Sequence, residues 1–279
     1  QLLEAELGVE IFRRTRNRIV GLTEPGRLVV ERVRRILGDV QSLASLREDL
    51  AASDRGTLTI ATTHTQARYV LPGVIGRYVH DYPNVQISLK QGDPEGICRL
   101  VDTGEADLAI GTEIQGSFPR LVDLPCFALD RVVVAPQGHP ILEAERLTLD
   151  LIASYPVITY DSRFSGYWKV RSAFERAGLS PRVVLSAIDA DVCKTYVRMD
   201  LGIAILTAIA FDAEQDAGLA AVAADHLFES STTSVKLRSN IYLRPYLLDF
   251  LNRLSPRLTP GAVQQALARA GRDAGRPAP

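Results

Sequence analysis

The run Thr62-Thr63-His64-Thr65-Gln66 places three hydroxyls, an imidazole and an amide within five residues. It follows a stretch with strand character and opens one with helical character. Where a strand hands over to a helix, backbone N–H groups lie unsatisfied. Hydroxyl and amide donors beside them make a receptor for a small anion, and dipoles can hold the charge without a cationic side chain. A plain threonine N-cap accounts for one threonine of the run and leaves the rest unexplained. A second polar patch, Thr159-Tyr160-Asp161-Ser162 with Ser165-Gly166, also lies between strand and helix, and Thr112 ends a third strand. Ligands of open α/β sheets gather at the carboxyl ends of strands. The three patches either converge on one cleft or belong to three independent loops.

Catalytic signatures are missing from the sequence. It contains no G-x-S-x-G elbow, P-loop, G-x-G-x-x-G or H-E-x-x-H. His64 is a base with no acid or nucleophile placed beside it by spacing. Asp189 and Asp191 near Lys194 read as acids at a helix start, favoured by the dipole. The chain is therefore not expected to be an enzyme. Cys98, Cys126 and Cys193 are far apart in apolar stretches and read as buried thiols. Four scattered histidines show no metal-ligand spacing.

Alternating elements must position these groups. TLTIAT (57–62), NVQISLKQG (84–92) and ADLAIGT (106–112) read as strands, with a helix face on Leu71, Val74, Ile75, Tyr78 and Val79 and a helix over 94–104. The grammar repeats: strands at 131–136, 155–160, 181–188 and 202–208, helices at 167–178 and 189–200. A strand over 234–243 then precedes a helix near 246–254. Such alternation implies parallel sheets with crossover helices. Two similar blocks imply two lobes and a cleft, with the last strand and helix returning to the first lobe. The tail from Ala266 reads as frayed.

The first 55 residues differ. A short helix ends at Gly8, and RRTRNRIVGLT reads as a hairpin with arginines at its tip. Eight arginines face two glutamates between Ile11 and Arg35, a net +6 on a chain whose total is −1. Such a patch suits a polyanion, although a solvated helix face has the same composition. Thr23-Glu24-Pro25-Gly26 is a helix start. Val29, Val33, Ile36, Val40, Leu43 and Leu50 then follow three- and four-residue steps, broken only by Arg47. A helix of roughly 42 Å with so narrow a stripe implies a coiled-coil partner, hence a dimer. Ser53-Asp54-Arg55-Gly56 is the domain break. No apolar run reaches the ~18 residues of a membrane span, and the first residues lack a signal peptide's pattern, so a cytoplasmic address is expected.

The motifs, taken in order, resemble the LysR-type transcriptional regulators. ELGVEIFRR…LTEPG is similar to the end of their winged helix-turn-helix, its wing and the start of the linker helix. IATTHTQARYVLP, DADVCKTYVR and Ser231-Thr232-Thr233 resemble the CysB group, which controls sulfur assimilation. The similarity runs through about Thr259. It implies a cytoplasmic, homotetrameric DNA-binding activator that dimerises through the linker helix. Its further partner would be RNA polymerase, and it would have no membrane role. It implies no cofactor but a small effector: acetylserine as inducer, with sulfate or thiosulfate opposing it. The matching anion-binding positions are Thr63, Thr65, Gln66, Thr112 and Ser165, the last a threonine in the family pattern. Thr62, Thr159, Tyr160 and Asp191 are further candidates, as supports or effector contacts. Arg13, Arg14, Arg16 and Arg18 would meet DNA phosphate from the wing, which positions without specifying.

The resulting division is a residual winged helix (1–22), a coiled-coil linker helix (23–53), an α/β effector domain of two subdomains like a periplasmic binding protein, I (56–128 and 231–265) and II (129–230), and a tail (266–279). Because Gln1 falls within what the resemblance makes the recognition helix, weak operator binding by this polypeptide is expected. Two alternatives stand beside this reading. A solute-binding protein of the same two-lobed fold would need a signal peptide and would have no use for the Val29–Leu50 seam. A paralogous regulator of alkanesulfonate use would share almost the same cleft.

Overall fold

The computed structural model describes residues 2–16, 18–33, 36, 37, 40 and 55–274. The N-terminal unit is small. Helix α1 (Leu2–Leu7) stops at Gly8, whose φ of 66° suits the left-handed turn. Strands β1 (Phe12–Thr15) and β2 (Arg18–Leu22) form the expected antiparallel hairpin. Thr23 Oγ1 accepts from the Gly26 N–H at 2.9 Å, so Thr23 caps helix α2, which runs over 24–33. Gly26 is obligatory there, since a Cβ would lie 2.0 Å from the Ile11 carbonyl oxygen.

Residues 36, 37 and 40 are also helical. The described part of the seam opens along its length: Val29 is half-buried, whereas Ile36 is 61% and Val40 54% exposed. Leu43, Arg47 and Leu50 lie outside the described residues.

The first lobe is built on β3 (Gly56–Thr62), β4 (Val85–Gln91), β5 (Leu108–Gly111) and β6 (Leu121–Leu129), with helices α3 (Leu71–Asp81) and α4 (Pro94–Asp102). The second uses β7 (Arg131–Pro136), β8 (Val157–Tyr160), β9 (Val183–Ala187), β10 (Ile203–Thr207) and β11 (Leu219–Ala223), with α5 (Leu149–Ala153), α6 (Ser165–Arg176) and α7 (Ala190–Arg198). The chain then returns: β12 (Ser231–Arg238), α8 (Pro245–Leu254) and α9 (Pro260–Ala274) belong with the first lobe. The sheet orders are β4-β3-β5-β12-β6 and β11-β7-β10-β8-β9. Strand β3 is parallel to both neighbours, whereas β12 is antiparallel to β5 and β6.

Leu58, Ile60, Tyr78, Tyr246 and Phe250 centre the first core. The second sheet is packed on both faces, by Phe174 and Phe228 with Val133 and Ile205, and by Cys193 and Val197 with Ile158 and Leu206. The long apolar runs of its strands follow from this two-sided burial.

The expected parallel sheets are in fact mixed, because β7 runs antiparallel to β10 and β11 as β12 does to its neighbours. Three further readings need correction. The chain from Ala266 is not frayed as far as Ala274: α9 continues to that residue, because Val263, Ala266 and Leu267 share a face against the first core. The last strand occupies Ser231–Arg238 rather than 234–243, since the Ser-Thr-Thr run pairs with Leu129, Ala128 and Phe127. Strand β6 was not anticipated. Its Pro125 suggests a break, but β6 is a sheet edge and the register shifts opposite that point, where a missing N–H is tolerated.

Candidate functional site: the cavity between the lobes

The three polar patches meet. A cavity of about 30 Å³ lies between the lobes, lined by Thr63, Thr65, Gln66 and Thr112 from the first and Tyr160 and Ser165 from the second. Its scale suits a small ion rather than a drug-sized molecule. Thr63, Thr65 and Gln66 are delivered by the handover from β3 to a π-helical turn, Gln66–Val70, that leads into α3. Gln66 is 1% exposed, and its Nε2 donates to Thr233 Oγ1 at 2.9 Å. That bond turns its Oε1 away without a protein partner. Ser165 opens α6, so the helix N-terminus points its N–H groups and positive pole at the cavity. Burial pushes the Tyr160 hydroxyl pKa well above the ordinary phenol value, so this side chain is neutral.

Two proposed supports do not line the cavity. Thr62 is fully buried and donates to the Ile110 carbonyl at 2.9 Å, which fixes β3 to β5. Thr159 precedes Tyr160 on β8, and strand alternation sends it to the opposite face. There it borders a separate groove of about 300 Å³ with Tyr167, Phe174 and Val183.

Asp191 is outside the cavity too, but it is more than a helix-start acid. Asp189 caps α7 by accepting from the Val192 N–H at 2.8 Å. Asp191 instead reaches the other lobe, where it accepts from the Tyr69 hydroxyl at 2.7 Å and meets His64 Nε2 at 3.2 Å. His64, Asp189 and Asp191 come within 4.8 Å of one another, a spacing that could hold a metal ion. Arg68 at 3.7 Å and Lys194 at 3.3 Å already compensate the Asp191 charge. A second set of contacts joins the lobes near Thr112: Lys169 Nζ of α6 donates to Glu113 at 2.7 Å.

Gly166, from the second polar patch, also lines the cavity, whereas spacing failed to pick out Leu129, Arg131, Phe164, Thr207 and Ser231. Ser231 Oγ is hydrogen-bonded both to Ser165 Oγ, at 2.9 Å, and to Arg131 Nη2. The Ser-Thr-Thr motif was the only hint of it. Arg131 gave none, because one arginine ahead of VVVAP reads as an ordinary strand end. At the wing, Arg13, Arg14, Arg16 and Arg18 are all exposed. Arg14 pairs with Glu4 at 2.8 Å, and Arg13 Nε donates to the Leu22 carbonyl at 3.0 Å.

Two α/β lobes joined by paired crossings, with a polar cavity at their seam, define an effector-binding module. The match to known proteins agrees. Residues 51–259 match the LysR substrate binding domain. The chain is 48% identical over 265 residues to the HTH-type transcriptional regulator CysB of Burkholderia cenocepacia, covering 95% of this chain and 85% of that one. It is 45% identical over 268 residues to the regulator SsuR of the same organism, covering 96% and 87%. The solved cofactor-binding domain of the Cbl transcriptional regulator superposes with a TM-score of 0.73 at 37% identity, over 76% of this chain and 93% of that one. The chain belongs to the LysR family of transcriptional regulators. Among the described residues, no helix is long and apolar enough to cross a membrane.

Proposed function

We propose that this protein regulates sulfur assimilation by sensing a small oxyanion in the inter-lobe cavity. One observation carries the reading: Thr63, Thr65, Gln66, Thr112 and Ser165, scattered over 103 positions of the sequence, line a single small cavity beside a helix N-terminus. Hydroxyl, amide and backbone donors there suit sulfate or thiosulfate, and acetylserine would compete through its carboxylate. The likeness to CysB supports sulfur as the subject. The effector favours one angle between the lobes, and the linker helix conveys that angle to DNA-reading heads. The chain acts as a homodimer through the 23–53 segment and assembles further to a tetramer. It contacts DNA phosphate through Arg13, Arg14, Arg16 and Arg18, and RNA polymerase is a further partner. Its role is cytoplasmic and regulatory rather than catalytic.

Calorimetric titration with sulfate, thiosulfate, acetylserine and adenylyl sulfate tests the site. Thr65→Ala should weaken sulfate binding by about 1–3 kcal/mol if its hydroxyl is a buried donor. A sulfate isotherm unchanged by that substitution removes Thr65 from the site. A second reading is control of alkanesulfonate use through almost the same cleft, with the anion-binding donors unchanged. Tighter binding of alkanesulfonates than of acetylserine would select it.

A further inference from the structure

Arg131 is the first residue of β7, where the chain enters the second lobe. It is 2% exposed and borders the cavity. Its Nη2 donates to the neutral Ser231 Oγ, and its Nε is buried without a protein partner. Among the described residues no carboxylate lies within ion-pair distance of it. The two acids in its neighbourhood are engaged elsewhere. Glu113 receives Lys169 at 2.7 Å and the Thr232 N–H at 2.8 Å, and Asp130 Oδ1 accepts from Ser230 Oγ at 2.6 Å. Every other side chain lining the cavity is neutral.

A second positive pole stands against the first. Gly166, in the first turn of α6, lies so near that a Cβ there would be 3.5 Å from Arg131 Nη2. The guanidinium keeps its charge under all ordinary conditions. A buried charge without an opposite partner is costly, and a helix N-terminus facing it adds repulsion. Two positive poles that converge on one polar cavity are compensated when a negative charge sits between them.

We propose that Arg131 is the charge-reading residue of the cleft: it makes a full negative charge on the ligand, beyond mere oxygen-rich shape, the condition for tight binding. The ligand class is a compact oxyanion of the sulfate or sulfonate type, and neutral isosteres are refused. This rests on the anion-sensing reading above and refines it. Arg131 and Ser231 each begin the strand that follows a crossing between the lobes. An anion that draws on Arg131 therefore competes with Ser231 at the joint itself. Spacing-based reading assigned the charge to dipoles and neutral donors alone; the geometry adds a cation.

The test compares three probes of similar shape, sulfate, methanesulfonate and neutral dimethyl sulfone, by calorimetry on the full chain and on Arg131→Gln. Wild-type protein should prefer methanesulfonate to the sulfone by about 30-fold or more, the scale of a hydrogen bond to a charged group. Arg131→Gln should lose sulfate affinity by a similar factor of about 30 while sulfone binding changes less than about threefold. Sulfate binding within about threefold of wild type in the variant, or equal loss of sulfate and sulfone, overturns the proposal. Were Arg131→Gln not to fold, wild-type melting decides: a sulfone that raises the melting temperature as much as the sulfonate overturns it. Wild-type protein that binds none of the three defeats the anion-sensing reading itself, a result distinct from a failure confined to the variant.

Discussion

Tyr69 and Asp191 tie the lobes together: the phenol of the first donates to Asp191 Oδ1 of the second at 2.7 Å. Lys194 Nζ donates to the same phenolic oxygen at 2.9 Å, and to Asp216 at 2.9 Å behind it. Tyr69→Phe keeps the ring under the Lys194 ammonium and removes both bonds. Sulfate affinity should fall by about 1.5–3 kcal/mol, the worth of a hydrogen bond to a charged group. X-ray scattering of the ligand-free variant should show a wider mean lobe separation. An unchanged affinity would mean that this contact plays no part in the ligand-holding geometry.

The same ion cluster sets a pH window. Burial alone would raise the Asp191 and Asp216 carboxyls. Tyr69, His64 and Lys194 at the first, and Lys194 and the Asp212 N–H at the second, outweigh it and hold both below the usual carboxylate range. Glu113 is held low in the same way, by Lys169 and the Thr232 N–H against burial. Depressed acids stabilise the fold above their unfolded values, and that stability disappears as pH falls through the folded ones. Lys194 is opposite in sign. Burial would lower it, but Tyr69 and Asp216 raise it. Its contribution is complete below the ordinary lysine value and is lost only as pH climbs through the raised one. Melting temperature should be flat from about pH 5 to 9 and fall below about pH 4. Asp191→Asn should flatten part of that acid limb, and an identical limb in the variant would remove Asp191 from the account.

Gly166→Ala should disturb the cavity without unfolding the protein. The new methyl would lie 2.9 Å from a Tyr160 ring carbon and 3.5 Å from Arg131 Nη2. Overpacking of this kind costs about 1–3 kcal/mol and should appear chiefly as lost sulfate affinity. Gly73→Ala in α3, where a Cβ meets nothing within 4 Å, is the control and should bind normally. Equal behaviour of the two variants in titration would contradict the described packing.

The three cysteines are free and buried. Burial pushes the Cys98 and Cys126 thiols up to about 11 and Cys193 to about 12. Thiolate is the reactive form, so an aromatic disulfide reagent should label native protein negligibly and denatured protein at three sites. Rapid labelling of folded protein would show that one of these side chains is reachable.

Leu28, Ile36 and Val40 are 64%, 61% and 54% exposed on the single chain. Apolar groups in such a row call for a partner helix. Ile36→Glu combined with Val40→Glu should shift sedimentation toward smaller species while sulfate binding persists. Unchanged sedimentation would place the subunit contact elsewhere.

Much of the site was legible because the hydroxyls stand at strand ends, where the fold makes one address of several loops. Thr63, Thr65, Gln66, Thr112 and Ser165 are of that kind. Arg131 and Thr207 were hidden, since a cleft residue at the end of an apolar strand carries no local pattern. Thr159 stands behind the cavity rather than on its wall, a distinction that a run of polar letters conceals because it hides the two-residue alternation of β8. Asp191 looked like its neighbour Asp189, yet one caps its own helix and the other spans the cleft; only the lobe packing separates them. The edge position that tolerates Pro125 in β6, and the face that fixes α9, are likewise properties of assembly. Local propensity does not reveal them.

The chain passes from lobe to lobe beside Asp130 and again beside Ser230, and these two residues are themselves hydrogen-bonded at 2.6 Å. Leu129 and Ser231 are register partners across the same point. Twin tethers so close together confine the joint between the lobes to one place, which makes it the natural pivot for any change in the angle between them. A ligand gripped by both walls of the cavity therefore acts close to that pivot, where a small displacement is magnified at the outer edges of the lobes.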